Sequence, residues 1–272
     1  MSASVEVVGR RWLPHEWCEE TRIVVRSPRL PEAFDALSAI QVTDTHFAGS
    51  GRFAEPLIEY VAAQRPDLWL LTGDLFESVE GLPHVERLLA AMHPGLGLFF
   101  VPGNNDNRAF RKRPQTLPTL RAAGLVPLAN SGVMLYREGL GIGLLGVDDP
   151  SRRRDNLDAA VAGADANAFR ILLAHCVDVL PKAANAGIDF VPCGHSHGGQ
   201  ICLPGIGPLV SGARIGGPRF AQGVHRDGAT FAYVCRGIGT SRVPLRIRCP
   251  REVVRYEFRS AREEARLVGA NP

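Results

Sequence analysis

Short apolar runs recur along this chain, and polar residues follow them at the same places each time. LSAIQV (37–42), LWLLTG (68–73) and GLFFVP (97–102) read as buried strands. PLIEYVAAQ (56–64), which is followed by Pro66, and VERLLAAM (85–92) lie between them with helical spacing of apolar positions. TRIVVR (21–26) reads as an edge strand behind a Trp-containing arm. Beyond a helix near 115–123, SGVMLYRE (131–138) and LGIGLLGV (140–147) are sequential strands, and DDPSRRRD is a polar turn. NLDAAVAG (156–163) is a helix, RILLAH (170–175) a strand, VLPKAANAG (179–187) a helix and DFVPCGH (189–195) a strand. The remainder reads as mostly β, with QICLP (200–204), TFAYVCR (230–236) and EVVRYEF (252–258) as its strands. Strand–helix–strand alternation of this kind predicts an α/β (α+β) fold, a sheet covered by helices. No repeat or composition break marks a boundary. One domain is expected over 21–258, with an N-terminal arm at 1–20 and a polar C-terminal tail at 259–272.

Composition narrows this only a little. A formal charge of +3 on 272 residues is no signal for nucleic acid, which needs a concentrated basic surface. The six cysteines include no CxxC pair, and several sit inside apolar runs, so they read as buried, reduced thiols. Arg10-Arg11 is followed by WLPHEWCEETR, which is not a signal-peptide core, and no run has the length of a transmembrane segment. A cytoplasmic protein is expected.

The polar residues that end the strands carry the chemistry. IQVTDTH (40–46), LLTGD (70–74), FVPGNND (100–106), ILLAH (171–175) and VPCGHSHGGQ (191–200) bring Asp44, His46, Asp74, Asn104, His175, His195 and His197 to strand ends. Open α/β sheets place their sites at the carboxyl ends of strands. Seven such ligands suffice for two divalent metals with one carboxylate shared. Asp74 is the natural bridge, since Gly73 gives it a tight turn. Alternate residues leaving a strand point the same way, so Asp44 with His46, and His195 with His197, can each aim at one ion. Mixed carboxylate, imidazole and amide donors suit Mn²⁺ first, with Fe²⁺ or Zn²⁺ as alternatives, and do not suit Ca²⁺. Two such metals can bridge a hydroxide and clamp ester oxygens, which is what phosphate-ester hydrolysis at neutral pH requires. Taken singly, each string reads as an ordinary turn or a packed histidine; the ordered set is what carries the reading. His15, His84, His93 and His225 lie outside it and read as surface or structural, while Cys176 and Cys193 read as buried thiols rather than softer ligands.

This set of strings resembles the calcineurin-like metallophosphoesterase superfamily, whose pattern runs D-x-H, G-D, G-N-H-D, H, G-H-x-H. GHSHGGQICLPGIG, the GVDDP turn and RGIGTSRVPLRIRCPREV are similar to a bacterial branch of membrane-associated phosphodiesterases with the motif GHTHGGQ, related to some UDP-2,3-diacylglucosamine pyrophosphatases. The resemblance runs from about residue 20 to residue 258 and implies a four-layer αββα sandwich, two mixed sheets flanked by helices. It also implies that Asp44, His46, Asp74 and His197 hold one metal, and that Asp74, Asn104, His175 and His195 hold the other. Branch members often carry an N-terminal membrane anchor or export signal, which this chain does not show.

A second departure is chemical. G-N-H-D reads G-N-N-D here, with Asn105 where the resemblance expects a histidine that contacts phosphate and protonates the leaving group, and Asp106 as its orienting acid. Asparagine can donate a hydrogen bond to a phosphoryl oxygen but cannot transfer a proton at neutral pH. The substrate is therefore expected to be a diphosphate or activated diester, nucleotide- or lipid-linked, rather than an alkyl phosphomonoester. Arg108 is a candidate phosphate contact, Arg152, Arg153 and Arg154 a weaker one, and Trp12, Leu13 and Trp17 read as packing for the arm. A nuclease and a non-catalytic metal-binding scaffold are the competing readings. Against the scaffold stands the retention of all seven ligands.

Overall fold

The computed structural model describes residues 2–209 and 212–261. The first half of the chain lays down β1 (Ser4–Trp12), β2 (Glu19–Ser27), β3 (Leu37–Val42), β4 (Leu68–Leu71), β5 (Gly97–Phe100) and β6 (Leu125–Pro127). Helices α1 (Ala54–Ala62), α2 (Leu82–Ala91), α3 (Asn104–Lys112) and α4 (Thr116–Ala122) lie among them. Next come β7 (Ser131–Arg137), β8 (Leu140–Gly146), β9 (Phe169–Leu173) and β10 (Phe190–Cys193), with α5 (Leu157–Val161) and α6 (Leu180–Asn185). A small hairpin, β11 (Cys202–Leu203) and β12 (Gly207–Pro208), precedes β13 (Gly223–Asp227), β14 (Thr230–Val234) and β15 (Glu252–Ser260).

These strands form two mixed sheets, ordered β1-β2-β15-β3-β4-β5-β6 and β13-β14-β10-β9-β8-β7. Within each, the strands that lead to the histidine and carboxylate strings are parallel: β3 with β4 and β5, and β8 with β9, β10 and β14. Their carboxyl ends therefore share one edge of each sheet.

A period of two sorts the apolar residues of these strands into separate cores. Leu37 and Ala39, Leu68 and Leu70, Ile142 and Leu144, Phe169 and Ile171, and Tyr256 and Phe258 meet between the sheets. The alternate residues Ile40, Val42, Trp69, Leu71 and Phe100 pack under α1 and α2, and Leu172, Val191 and Val234 pack under α5 and α6. Four layers, αββα, follow from strands that are apolar on both faces. At the centre Phe190 meets Tyr256 and Phe258 edge-on, with ring centroids 5.2 and 5.8 Å away. Truncating Phe190 to alanine would cost about 3–5 kcal/mol.

The structure corrects the reading of the N-terminus. Residues 4–12, expected within an arm, form the edge strand β1, and TRIVVR lies one place inside it, between β1 and β15. The signal is weak because β1 is short of buried positions: its residues are exposed or half-buried, and Glu6, Arg10 and Arg11 interrupt its apolar residues. Leu13 is buried and Trp17 packs against the core under the helices, while Trp12 is half exposed. The strand EVVRYEF extends to Ser260, so the expected tail at 259–272 begins inside β15; its residues from 262 onward lie outside the described ones. Helix α3 was not anticipated. It starts inside the GNND string, where the Asp106 carboxylate accepts the Gly103 N–H at 2.9 Å and so caps the first turn.

Candidate metal centre

Every carboxylate and histidine of the five strings sits at this common edge. Asp44, His46 and His197 form one cluster and Asp74, His175 and His195 another, with donor atoms in each within 4.8 Å of one another. All six are at least nine-tenths buried except His195. Asp44, His46, Asp74, His195 and His197 adopt positive φ, which costs non-glycine residues of order 1–3 kcal/mol each. Such strain persists only where the surroundings impose it.

Glycines make the close approaches possible. A Cβ on Gly73 would lie 2.6 Å from His175 Nδ1, and one on Gly194 would lie 2.3 Å from Asp44 Oδ2. One on Gly103 would lie 2.2 Å from Asp74 Oδ1. These are the glycines of the GD, GH and GN pairs.

The donor atoms are arranged for cations. Asp44 Oδ1 is buried with no hydrogen-bond partner, 3.5 Å from His197 Nε2. His46 Nε2 faces His197 Nε2 at 3.1 Å, and His175 Nε2 faces His195 Nδ1 at 3.0 Å. Paired ring nitrogens this close repel unless a proton or cation lies between them. Asp74 Oδ2 stands 3.6 Å from His46 Nε2 and 3.5 Å from His175 Nε2, between the two clusters. The residues present thus fit two divalent ions with Asp74 between them.

Outer partners set the tautomers. His175 Nδ1 donates to the Thr72 carbonyl at 2.8 Å, and His46 Nδ1 to Glu77 Oε2 at 2.8 Å, leaving each Nε2 free as a donor atom toward metal. Electrostatics agree. Burial pushes Asp44 and Asp74 toward protonation, but the facing histidines outweigh it and hold both carboxyls well below their ordinary range. Burial opposes charge on His46 and His175 as well, yet their carboxylate partners raise both to about 10.

Asn105 and Asp106 face differently than expected. Asn105 Nδ2 donates to Asp74 Oδ2 at 2.7 Å, and Arg108 donates to Asn105 Oδ1. Arg108 also approaches Glu77 Oε1 at 3.7 Å, closing a ring of polar contacts from His46 through Glu77, Arg108 and Asn105 to Asp74. Asp106 is fully buried and accepts the Leu75, Phe76 and Gly103 amides. Both its oxygens are thus committed to backbone, and it orients the Asp74 loop rather than residue 105. Burial and the charge of Asp74 push it up to about 7. Asn104, the first residue of α3, is partly exposed.

Of the triple arginine, Arg154 pairs with Asp148 at 2.8 Å, and Asp148 accepts from Asn107 of α3. Cys176 and Cys193 are buried and belong to neither ligand cluster. Several contributors escaped the sequence reading. Glu77 is three residues past Asp74 with no motif around it. Gln200, the last residue of GHSHGGQ, accepts from Ser241 N and donates to the Val243 and Leu245 carbonyls. Arg246 is inward-facing, donating to the His197, Arg236 and Gly239 carbonyls. Long-range partners of this kind leave no local pattern.

Two sheets meeting at a cluster of carboxylates and imidazoles define a metallophosphoesterase, and the comparisons agree. The model for calcineurin-like phosphoesterases matches residues 37–199, and the chain belongs to that family. It is 26% identical to metallophosphoesterase YkuE of Bacillus subtilis (strain 168), over 92% of this chain and 88% of that protein. It is 29% identical to phosphodiesterase YaeI of Escherichia coli (strain K12), over 72% and 71%. A metallophosphoesterase of Helicobacter pylori is 30% identical over 80% of this chain and 58% of its own length. The protein is a phosphoester hydrolase of a dimetal-dependent family. Among the described residues no helix is long and apolar enough to cross a membrane.

Proposed function

We propose that this chain is a phosphodiesterase or pyrophosphatase for substrates whose leaving group is already a weak base. The observation that carries the reading is Asn105, which stands beside Asp74 with its amide divided between that carboxylate and Arg108. Asp44, His46 and His197 would hold one ion and Asn104, His175 and His195 the other, with Asp74 shared. Two divalent ions, Mn²⁺ first in our reading, would supply Lewis-acid activation of the ester and a nucleophile at neutral pH.

The chain's own residues do the rest. Glu77 and the Thr72 carbonyl hold His46 and His175 in register. Asp106 fixes the loop that carries Asp74. Arg108 lies about half exposed at the rim, where its guanidinium can turn from Asn105 to a phosphoryl oxygen. No group at residue 105 can pass a proton to a departing alkoxide. That loss should cost roughly 10²–10⁴-fold for alkyl esters and little for phosphate or aryl oxide leaving groups. The six buried free thiols support a reducing, cytoplasmic setting. Nucleotide- and lipid-linked diphosphates or diesters both satisfy the leaving-group requirement.

The test is hydrolysis of bis(p-nitrophenyl) phosphate, p-nitrophenyl phosphate and glycerol phosphate by chelated protein reloaded separately with Mn²⁺, Fe²⁺ or Zn²⁺. Metal-dependent cleavage of the diester well above glycerol phosphate is expected. Equal turnover of glycerol phosphate would sink the leaving-group argument.

A further inference from the structure

Among the described residues, two buried carboxylate oxygens have no hydrogen-bond partner, Asp44 Oδ1 and Asp149 Oδ2. The first belongs to a residue of the first ligand cluster. The second belongs to the GVDDP turn, which carries none of the ligands. Asp149 is fully buried. Its Oδ1 accepts the Ser151 N–H at 2.8 Å and so caps the short helical turn Pro150–Arg152, which accounts for one oxygen and not the other. A buried carboxylate oxygen without a donor or a cation is costly, so what surrounds Oδ2 matters.

Those surroundings are the second ligand cluster. β8 and β9 run parallel with Gly146 opposite Leu173, and the Val147 N–H continues the pairing to the Leu173 carbonyl at 3.2 Å. Asp149 and His175 therefore leave the same sheet edge on neighbouring strands. The turn that Asp149 caps packs on Val177–Val179, the turn just beyond His175. On its other side, Arg214 donates to the Pro150 carbonyl at 2.6 Å. Gly212, two residues earlier, lies so close to His195 that a Cβ there would be 2.6 Å from the ring. Burial opposes charge on His175 and His195, and the charge of His175 opposes it further on His195. Asp74, Asp44 and Asp149 act on both rings in the opposite sense. Asp149 is not in the set of donor atoms that lie within 4.8 Å of one another, so it stands behind the ligands rather than among them.

We propose that Asp149 is a positioning residue of the second metal site, supplying an outer negative charge to the ion there. This rests on the reading that Asp74, Asn104, His175 and His195 hold that ion. Two divalent ions bring four positive charges; Asp44 and Asp74 offset two of them, and imidazoles and an amide offset none. Beside the first cluster, Glu77 adds an outer carboxylate through His46. In the second cluster the corresponding partner of His175 is the uncharged Thr72 carbonyl. Asp149 provides the charge that this partner does not.

The experiment is Mn²⁺ titration of the chelated full chain against a competing chelator, with the melting temperature of the chelated protein measured beside it. Asparagine and serine both cap helical turns, so Asp149→Asn and Asp149→Ser remove the charge and keep the cap. Each is expected to weaken one of two Mn²⁺ equivalents by about 10–100-fold. The chelated melting temperature should equal or exceed the parent's, since an uncompensated buried charge has gone. The loss of affinity should persist in a His46→Ala background, which keeps the second cluster, and vanish in a His195→Ala background, which keeps the first. Asp158→Asn, the same charge change at an exposed position of α5, should leave both equivalents intact. Parent-like binding of both equivalents, or a loss shared by the two backgrounds, overturns the inference and leaves the two-ion reading standing. A parent chain that takes up only one ion overturns both. The Ser151 hydroxyl is also buried without a partner, so a water shared with Asp149 is the rival account of Oδ2. In that case Asp149→Asn and Ser151→Ala would lower the chelated melting temperature alike and leave Mn²⁺ affinity unchanged, which likewise overturns the inference.

Discussion

Asn105 holds Asp74 by two hydrogen bonds: its backbone N–H donates to Oδ1 at 2.8 Å and its side-chain amide to Oδ2 at 2.7 Å. The residue that replaces the expected acid is therefore built into the support of the carboxylate between the two clusters.

Asn105→His should restore a proton donor at that position. The ratio of glycerol phosphate to bis(p-nitrophenyl) phosphate turnover is expected to rise by about 10²-fold, the lower end of general-acid assistance. Asn105→Ala should lower turnover of both esters together. A histidine variant with an unchanged ratio would show that the leaving group is not what residue 105 decides.

Glu77 orients His46 from outside the ligand set. Glu77→Ala is expected to weaken one of the two metal equivalents by roughly 10–100-fold, the usual cost of losing such a partner. Glu77→Gln, which can still accept from Nδ1, should fall between the variant and the parent. Metal titration against a competing chelator measures both.

Gly103 lies against Asp74, so Gly103→Ala must displace either the GNND turn or the carboxylate. We expect a stability loss of about 1–3 kcal/mol together with a fall in bound metal per chain. Denaturant unfolding and elemental analysis read the two effects separately. Full metal content in the variant would mean that the turn yields without moving Asp74.

Asp67 ties the sheets together away from the metal clusters. It accepts from the Ser38 amide at 2.8 Å and hydroxyl at 2.7 Å, and from Arg137 of the other sheet. Burial pushes its carboxyl up, but these donors outweigh burial and hold it below the ordinary value. A depressed folded pKa means the stabilisation is complete above the unfolded value of about 3.9 and is lost as pH falls through the folded one. Asp67→Asn should therefore lower stability at neutral pH by about 1–3 kcal/mol and flatten the decline seen below about pH 4. Unfolding curves taken between neutral and acid pH give both quantities.

The sheet-and-helix class and the strands leading to the five polar strings were legible in the chain, and the resemblance of those strings to the family implied the four layers. Each string joins a doubly buried strand, which must be apolar throughout, to polar residues with no reason to follow it unless they serve the site. Burial period and residue chemistry are local, so they survive in one dimension. What the tertiary structure decided is who stands behind the ligands. β1 is a largely exposed edge strand placed only by its pairing with β2, and Asp106 turns toward backbone amides that only the folded loop brings near. Glu77 and Arg246 meet their partners across 31 and 49 residues respectively, and Asp74 comes between two histidines from different sheets. Hydrogen bonds reach only about 3 Å, so which groups they join depends on how distant segments pack, and no local spacing records that.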